Sequence, residues 1–391
     1  MTINNEHKKL NVPNLRFPEF QGEWEKCTLS EVCKFHNGRA YKQSELLAAG
    51  KYRILRVGNF FTNDSWYYSN LELEDNKYAQ DGDLLYAWSA SFGPRFWKEE
   101  KVIYHYHIWK IDSFKNVDKE FMYHFLDLDS SKIKNEVQGG TMVHITKGNM
   151  EKRAISYPSI NEQKKIAKLL SLLDERISTQ NKIIDKLQSL IKGLNQRVFT
   201  NSGINYKLGE ICEISSGYSG SQLLSKKGLK VSRIETISGH KVNMERVGYV
   251  APFESSENYR LRVGDILFSN INSVEYIGNT AFIDKDYDLY HGMNLLRLTP
   301  NNMVVIPFYL YLLLNTNTML NRFKTVCNKA VSQASINQTE LGKTVVQIPL
   351  INTQKQICEL YQALYDKLES EKYANSLFQK QKQYLLRQMF I

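Results

Sequence analysis

The chain has 391 residues, 42% of them hydrophobic, and a formal net charge of +10; that length suffices for two ordinary domains with real cores plus connecting helices. Its five cysteines (Cys27, Cys33, Cys212, Cys327, Cys358) are odd in number and form no CxxC pair, which argues against a disulfide or zinc framework. The longest apolar run, Phe308 to Leu314, is far too short to span a membrane, and Met1 to Lys9 is polar without a signal-peptide core, so the expectation is a soluble cytoplasmic protein with no membrane partner. The basic excess points to an acidic partner, yet stretches 161–200 and 352–391 carry +4 and +2 of it, so any DNA surface in the remainder has to be a local patch.

In chain order, an arm at 1–22 with little periodicity contains Leu15-Arg16-Phe17-Pro18-Glu19-Phe20, whose aromatics are expected to pack on the first domain. From Trp24 a block begins whose landmarks return later. Leu29-Ser30-Glu31-Val32-Cys33-Lys34-Phe35-His36-Asn37-Gly38 corresponds to 208–217, and the alternation of Val32, Lys34 and His36 against Cys33 and Phe35 predicts a strand ending at a glycine turn. Cys33 and Cys212 hold equivalent places, as small buried hydrophobes. The Gly-Asp turn at 82–83 returns at 264–265, each feeding a buried strand; Phe121–Leu126 and Phe308–Leu313 read as short buried helices; Met142–Lys147 lies over Gln333–Gln338. The frame recurs, while the loops differ: Arg39-Ala40-Tyr41-Lys42 faces Tyr218-Ser219-Gly220-Ser221, and Ser89–Arg95 faces Ile271–Tyr276. Two copies of one scaffold with unlike loops suggest two sites with related tasks and different specificity.

Each copy runs into a long helix. Ile166, Leu170, Leu173, Ile177, Gln180, Ile184, Leu187, Ile191, Leu194 and Val198 step by four and three, the heptad spacing of a coiled-coil seam. Adding 191 gives Ile357, Tyr361, Leu364, Leu368, Glu371, Asn375, Phe378, Lys382, Leu385 and Met389, and both helices open with the same Pro-x-Ile-x-x-Gln-x-x-Ile pattern, Pro158 to Ile166 and Pro349 to Ile357. Such a faithful repeat marks a duplicated unit.

Catalytic constellations are missing from the sequence. No two of the eight prolines are adjacent, which excludes an Asn/Asp-Pro-Pro-aromatic methyltransferase loop, and no Gly-x-Gly-x-x-Gly occurs. Gly342-Lys343-Thr344 resembles the end of a P-loop, but Asn337 stands where the leading glycine belongs, so it reads as the lead-in to a strand. His105 and His107, two apart on an expected strand face, lack a third metal ligand with recognisable spacing.

The ordered, duplicated landmarks, the Gly-Asp turns, the two helix openings and the Leu-Arg-Phe-Pro-Glu-Phe arm followed by Trp24 resemble the DNA specificity subunit of type I restriction-modification systems. The resemblance implies an α+β chain with two target-recognition domains, each reading half of a split site in double-stranded DNA, separated by two helices that pair antiparallel as a coiled coil. Expected bounds are 1–22 for the arm, 23–158 and 201–349 for the recognition domains, and 159–200 and 350–391 for the helical regions. Helices of about 39 residues extend roughly 58 Å at ~1.5 Å per residue, long enough to act as a ruler. The polar seam positions Gln180, Glu371, Asn375 and Lys382 are candidates for fixing register or facing a partner.

The resemblance further implies two methyltransferase subunits carrying S-adenosylmethionine, a complex that can add ATP- and Mg-dependent translocase-nuclease subunits, and no cofactor or catalysis on this chain. Loop position and side-chain type nominate Arg39, Tyr41, Lys42, Arg56, Asn59, Ser89, Ser91, Arg95, His144 and Lys147 as DNA contacts in the first copy. In the second they nominate Ser219, Gln222, Arg233, Asn270, Asn272, Lys329, Gln333 and Ser335. Two other classes stay open at this point: a self-sufficient DNA methyltransferase or nuclease with two recognition halves, and a coiled-coil scaffold for binding proteins.

Overall fold

The computed structural model describes residues 10–61, 63–89, 92–136, 144–199, 203–329 and 333–391. The chain forms two compact units, Met1–Asn181 with Tyr373–Ile391, and Lys182–Lys372, so the long helices Ile160–Arg197 and Ile351–Met389 each contribute to both.

The first unit holds an antiparallel four-stranded sheet in the order Lys34–Asn37, Ile108–Asp112, Leu84–Ala87, Gly93–Phe96. A second four-stranded sheet runs Tyr67–Ser69, Tyr52–Leu55, Val102–Tyr104, Tyr78–Ala79, with its two middle strands parallel. The strand Glu25–Thr28 pairs with Ala154–Tyr157, directly before the first long helix. In the second unit the same order returns as Cys212–Ser216, Leu295–Pro300, Ile266–Ser269, Thr280–Phe282, and Ile204–Lys207 pairs with Val345–Ile348 directly before the other long helix. The architecture is mixed α+β, present twice.

Local chemistry explains the shared landmarks. The strand predicted from the alternation at 32–36 forms from Lys34 onward and stops at Gly38, as expected, but the residues before it turn. Leu29–Val32 is a helical turn, and only Lys34–Asn37 is extended. The Glu31 carboxylate accepts the Thr28 amide at 2.6 Å and the Cys33 amide closes onto Leu29 O, so the glutamate caps a turn the period missed. Glu210 accepts the Lys207 amide in the same way at 2.8 Å. Cys33 and Cys212 are buried among apolar side chains, which pushes both thiols up to about 12.

Gly38 and Gly217 end the two equivalent strands because a Cβ there would stand 2.3 Å from His105 O and 1.9 Å from Gly292 O. Gly82 and Gly264 turn with φ +83° and +98°, a region closed to most side chains. After them Asp83 accepts from the Gln80 amide and Lys110, and Asp265 from the Arg262 amide and Thr299. Gly342 ends the short helix Gln338–Gly342, with Thr344 leading into the strand Val345–Ile348.

Phe121 lies early in an 18-residue helix, Lys119–Glu136, longer than its counterpart Pro307–Leu314, where Asn315 and Thr316 end the run and cap the next helix, Asn317–Val326. The arm packs on the first unit. Phe17 lies against its core, Leu15 N donates to Gln388 O, and Arg16 forms a two-pronged ion pair, 2.8 Å on each side, with the buried Glu162. Met142 and Val143 of the predicted landmarks, and the polar Met1–Lys9, lie outside the described residues.

Both cores close over the long helices. In the first unit Trp24, Leu29, Phe35, Trp109, Phe121 and Ile155 cluster with Ile166, Leu170, Leu386 and Met389. In the second, Leu208, Phe268, Leu298, Tyr309 and Phe323 cluster with Ile191, Ile357, Tyr361 and Leu368. All twenty seam positions are buried or half-buried. Within the first unit the helix contacts descend on one as they rise on the other: Asp174 with Lys382, Arg176 with Phe378, Asn181 with Asn375.

Candidate nucleic-acid interface

In the first unit, the strand Val102–Tyr104 of one sheet passes to Ile108–Asp112 of the other through His105-Tyr106-His107. The two histidines therefore sit in a turn and not on a strand face; the Ile108 amide donates to His105 O at 2.9 Å, bending the chain between them. Several nominated residues gather here. Arg39 bridges to His105 in the backbone, and its guanidinium is paired with Glu45 at 2.7 Å and lies over the Tyr41 ring at 5.3 Å. Tyr41 in turn stacks on His105, and burial raises its hydroxyl pKa. Ser89 is buried and bridges His144, whose ring is 6.0 Å from Trp88.

Arg56 lies over Tyr67 at 4.3 Å and close to His105. Burial, then His107 and then Arg56, hold the His105 ring down at about 4, and burial together with His144 lowers His107. Both rings are thus neutral near pH 7, each able to offer one donor and one acceptor.

Other nominated residues stand apart or are engaged structurally. Arg95 lies on the strand Gly93–Phe96 and not in a loop, donating to Phe60 O with its guanidinium near the Phe60 ring. Asn59, in the short helix Val57–Phe61, donates to Asn63 O and Ser65 O. Lys147 pairs with Glu151 at 3.5 Å at the start of the helix Lys147–Glu151. Lys42 is exposed before a turn at 43–45, and Ser91 lies outside the described residues.

In the second unit the structure brings five nominated residues to one small sheet. Ile271–Asn272, Ala334–Ser335 and Asn328–Lys329 pair in that order, which places Asn272, Lys329 and Ser335 on the strands, Gln333 beside them, and Asn270 at the edge where its carbonyl accepts the Ile336 amide. Asn272 Nδ2 donates to Ser269 Oγ at 3.1 Å. Gln222 and Arg233 lie elsewhere, both against Gly248, where a Cβ would come within 2.9 and 3.1 Å of them. Ser219 is exposed beside Tyr218, which stacks on Phe253 at 4.0 Å.

Sequence reasoning missed Trp88 and Tyr106, and weighed His107 only as a metal ligand. Trp88 ends the strand Leu84–Ala87 at the position that Asn270 holds after Ile266–Ser269, so the repeat itself carried the signal. Among the described residues no cluster of His, Cys, Asp and Glu could hold a metal ion, and no helix is long and apolar enough to cross a membrane.

On the helices, polar seam side chains are engaged within their own units. Asn375 Nδ2 donates to Asn181 Oδ1 at 2.9 Å, Glu371 pairs with Lys367, and Lys382 reaches Asp127 at 2.9 Å and Asp174 at 2.7 Å.

Residues 21–189 and 204–376 match the family described as type I restriction modification DNA specificity domain. A Methanocaldococcus jannaschii protein provisionally named as the type I restriction enzyme MjaX specificity subunit is 42% identical over 158 residues; the match takes in 39% of this chain and spans only 37% of that relative's length. The type I restriction enzyme EcoBI specificity subunit of Escherichia coli is 21% identical over 418 residues, covering 96% of this chain and 87% of its own. The crystal structure of a type I restriction-modification S subunit from M. genitalium shares the fold, with a TM-score of 0.61 at 18% identity over 97% of this chain and 99% of that one. With both halves of the repeat matched and the fold shared, the chain belongs to the type I restriction modification DNA specificity family.

Proposed function

We propose that the chain reads a bipartite site in double-stranded DNA, one half through each recognition domain, 23–158 and 201–349. It directs two methyltransferase subunits, which carry S-adenosylmethionine, to adenines in that site. The assembly can add two translocase-nuclease subunits that use ATP and Mg. The observation carrying this reading is the repeated sheet order that presents unlike groups at matching positions, Trp88 against Asn270 and Arg39 against Tyr218. The helical regions 159–200 and 350–391 form an antiparallel coiled coil that sets the spacer between half-sites. The opposed residue order of the Asp174–Lys382 and Asn181–Asn375 contacts supports that arrangement.

A map of N6-methyladenine in a host carrying the partner genes, with and without this chain, tests the reading. One split motif of two short half-sites around a fixed spacer should gain methylation only when the chain is present. If no motif depends on the chain although the methyltransferase is active, the reading fails and a protein-binding scaffold takes its place.

A further inference from the structure

The turn His105-Tyr106-His107 is held from several sides. The Tyr106 amide donates to Arg39 O at 3.1 Å, the His105 amide to Leu55 O at 2.9 Å, and the Trp88 amide to His107 O at 3.1 Å. The Trp88 indole N–H donates to Tyr106 O at 2.9 Å, while its ring lies 4.9 Å from His107 and 5.7 Å from the buried Trp109. A turn tied to two sheets and wedged by a tryptophan presents its side chains in a fixed geometry, as a selective contact requires.

The tip itself faces solvent. Tyr106 is 39% exposed, and neither its hydroxyl nor the His107 ring has a hydrogen-bond partner among the described residues. The tip also carries no Lys or Arg; Arg39 and Arg56 lie beside His105, engaged over Tyr41 and Tyr67. Phosphates are met by cations and backbone amides, whereas a neutral ring with one donor and one acceptor, beside a phenol, suits the edge of a base pair. The matching turn of the second unit, Gly292-Met293-Asn294, presents different groups: half-buried Met293 stands where Tyr106 does, and exposed Asn294, with φ +63°, where His107 does.

We infer that Tyr106 and His107 are base-reading side chains for one half-site, and that Trp88 is the positioning residue that holds them. This assignment rests on the proposed DNA-reading function.

The test uses the full chain co-purified with its methyltransferase partner, selecting from randomised DNA duplexes. The double variant Tyr106→Ala/His107→Ala should lose about tenfold or more discrimination at one or two adjacent base pairs of a single half-site, the scale of one base contact. The other half, the spacer and the affinity for unrelated duplex should stay unchanged. Trp88→Phe, which keeps a ring and removes the indole N–H, should relax the same base pairs at an unchanged melting temperature, and Tyr106→Phe with His107 intact should relax fewer of them. Equal weakening on every duplex, or an unaltered motif, overturns the assignment alone. A wild-type complex that enriches no bipartite motif overturns the proposed function together with it.

Discussion

Gln163 and Gln354 occupy the same step of two helices 191 positions apart, and both are almost completely buried. Gln163 accepts the Asp118 amide at 2.7 Å and donates to Asn116 O and Pro158 O at 2.9 and 2.8 Å. Gln354 repeats the pattern with the Ile306 amide at 2.8 Å and with Val304 O and Pro349 O at 3.1 and 2.8 Å. The Pro-x-Ile-x-x-Gln motif is therefore a clamp. One amide satisfies three backbone groups where a strand, a helix start and a loop meet, and the proline supplies one of the carbonyls. Gln163→Leu keeps the bulk but leaves those groups without partners, so the first unit should lose about 2 to 4 kcal/mol, read as a lower urea midpoint. Gln354→Leu should do the same to the second unit. A loss below about 0.5 kcal/mol would mean that water replaces the amide without penalty.

At the scale of elements, the helix Lys119–Glu136 meets the long helices through a buried polar group. His124 is fully buried, its Nε2 is 3.1 Å from Ser171 Oγ, and its Nδ1 is 3.9 Å from Asp174, which shares Lys382 with Asp127. Burial first, and then the Lys382 charge, push the imidazole from 6.5 down to about 3. Between those values the unfolded chain takes up a proton that the folded chain refuses. Stability from this group is complete above about pH 6.5 and falls as pH drops through the window, by at most about 1.4 kcal/mol per pH unit. Burial raises the Asp174 carboxyl, which opposes part of that slope, so the informative quantity is the difference between wild type and His124→Phe. The variant should lose less stability than wild type between pH 7 and pH 5 in denaturant titrations; equal slopes would mean that the ring is protonated when folded.

Heptad spacing revealed the seam on which Lys382 sits, but not its ion partners. Asp127 belongs to another helix, and no local period encodes a contact 255 residues away. The same limit explains the recognition loops. Period and glycine placement announced the frame, including the turns at Gly82 and Gly264, because those signals are local. Trp88, Tyr106 and His144 converge only through strand pairing, so position within a loop picked His144 and passed over the other two.

At the scale of the whole molecule, the described clusters around Trp24, Leu55 and Ile54 build the first unit, and those around Leu208, Leu267 and Val231 build the second. Exchange of residues 23–158 for the matching segment of a relative therefore leaves the second unit's packing intact, provided the donor keeps the side chains that meet the helices. Those are Trp24, Leu29, Phe121, Ile155 and Tyr157, which share a cluster with Ile166, Leu170, Leu386 and Met389, together with a hydrogen-bonding loop for Gln163. With these retained, the chimera should methylate a motif in which one half is the donor's while the other half and the spacer are unchanged, read from the methyladenine map. A change in both halves would mean that recognition is shared between the units, and loss of all methylation in a chimera that still binds its methyltransferase would mean that 23–158 does more than read DNA.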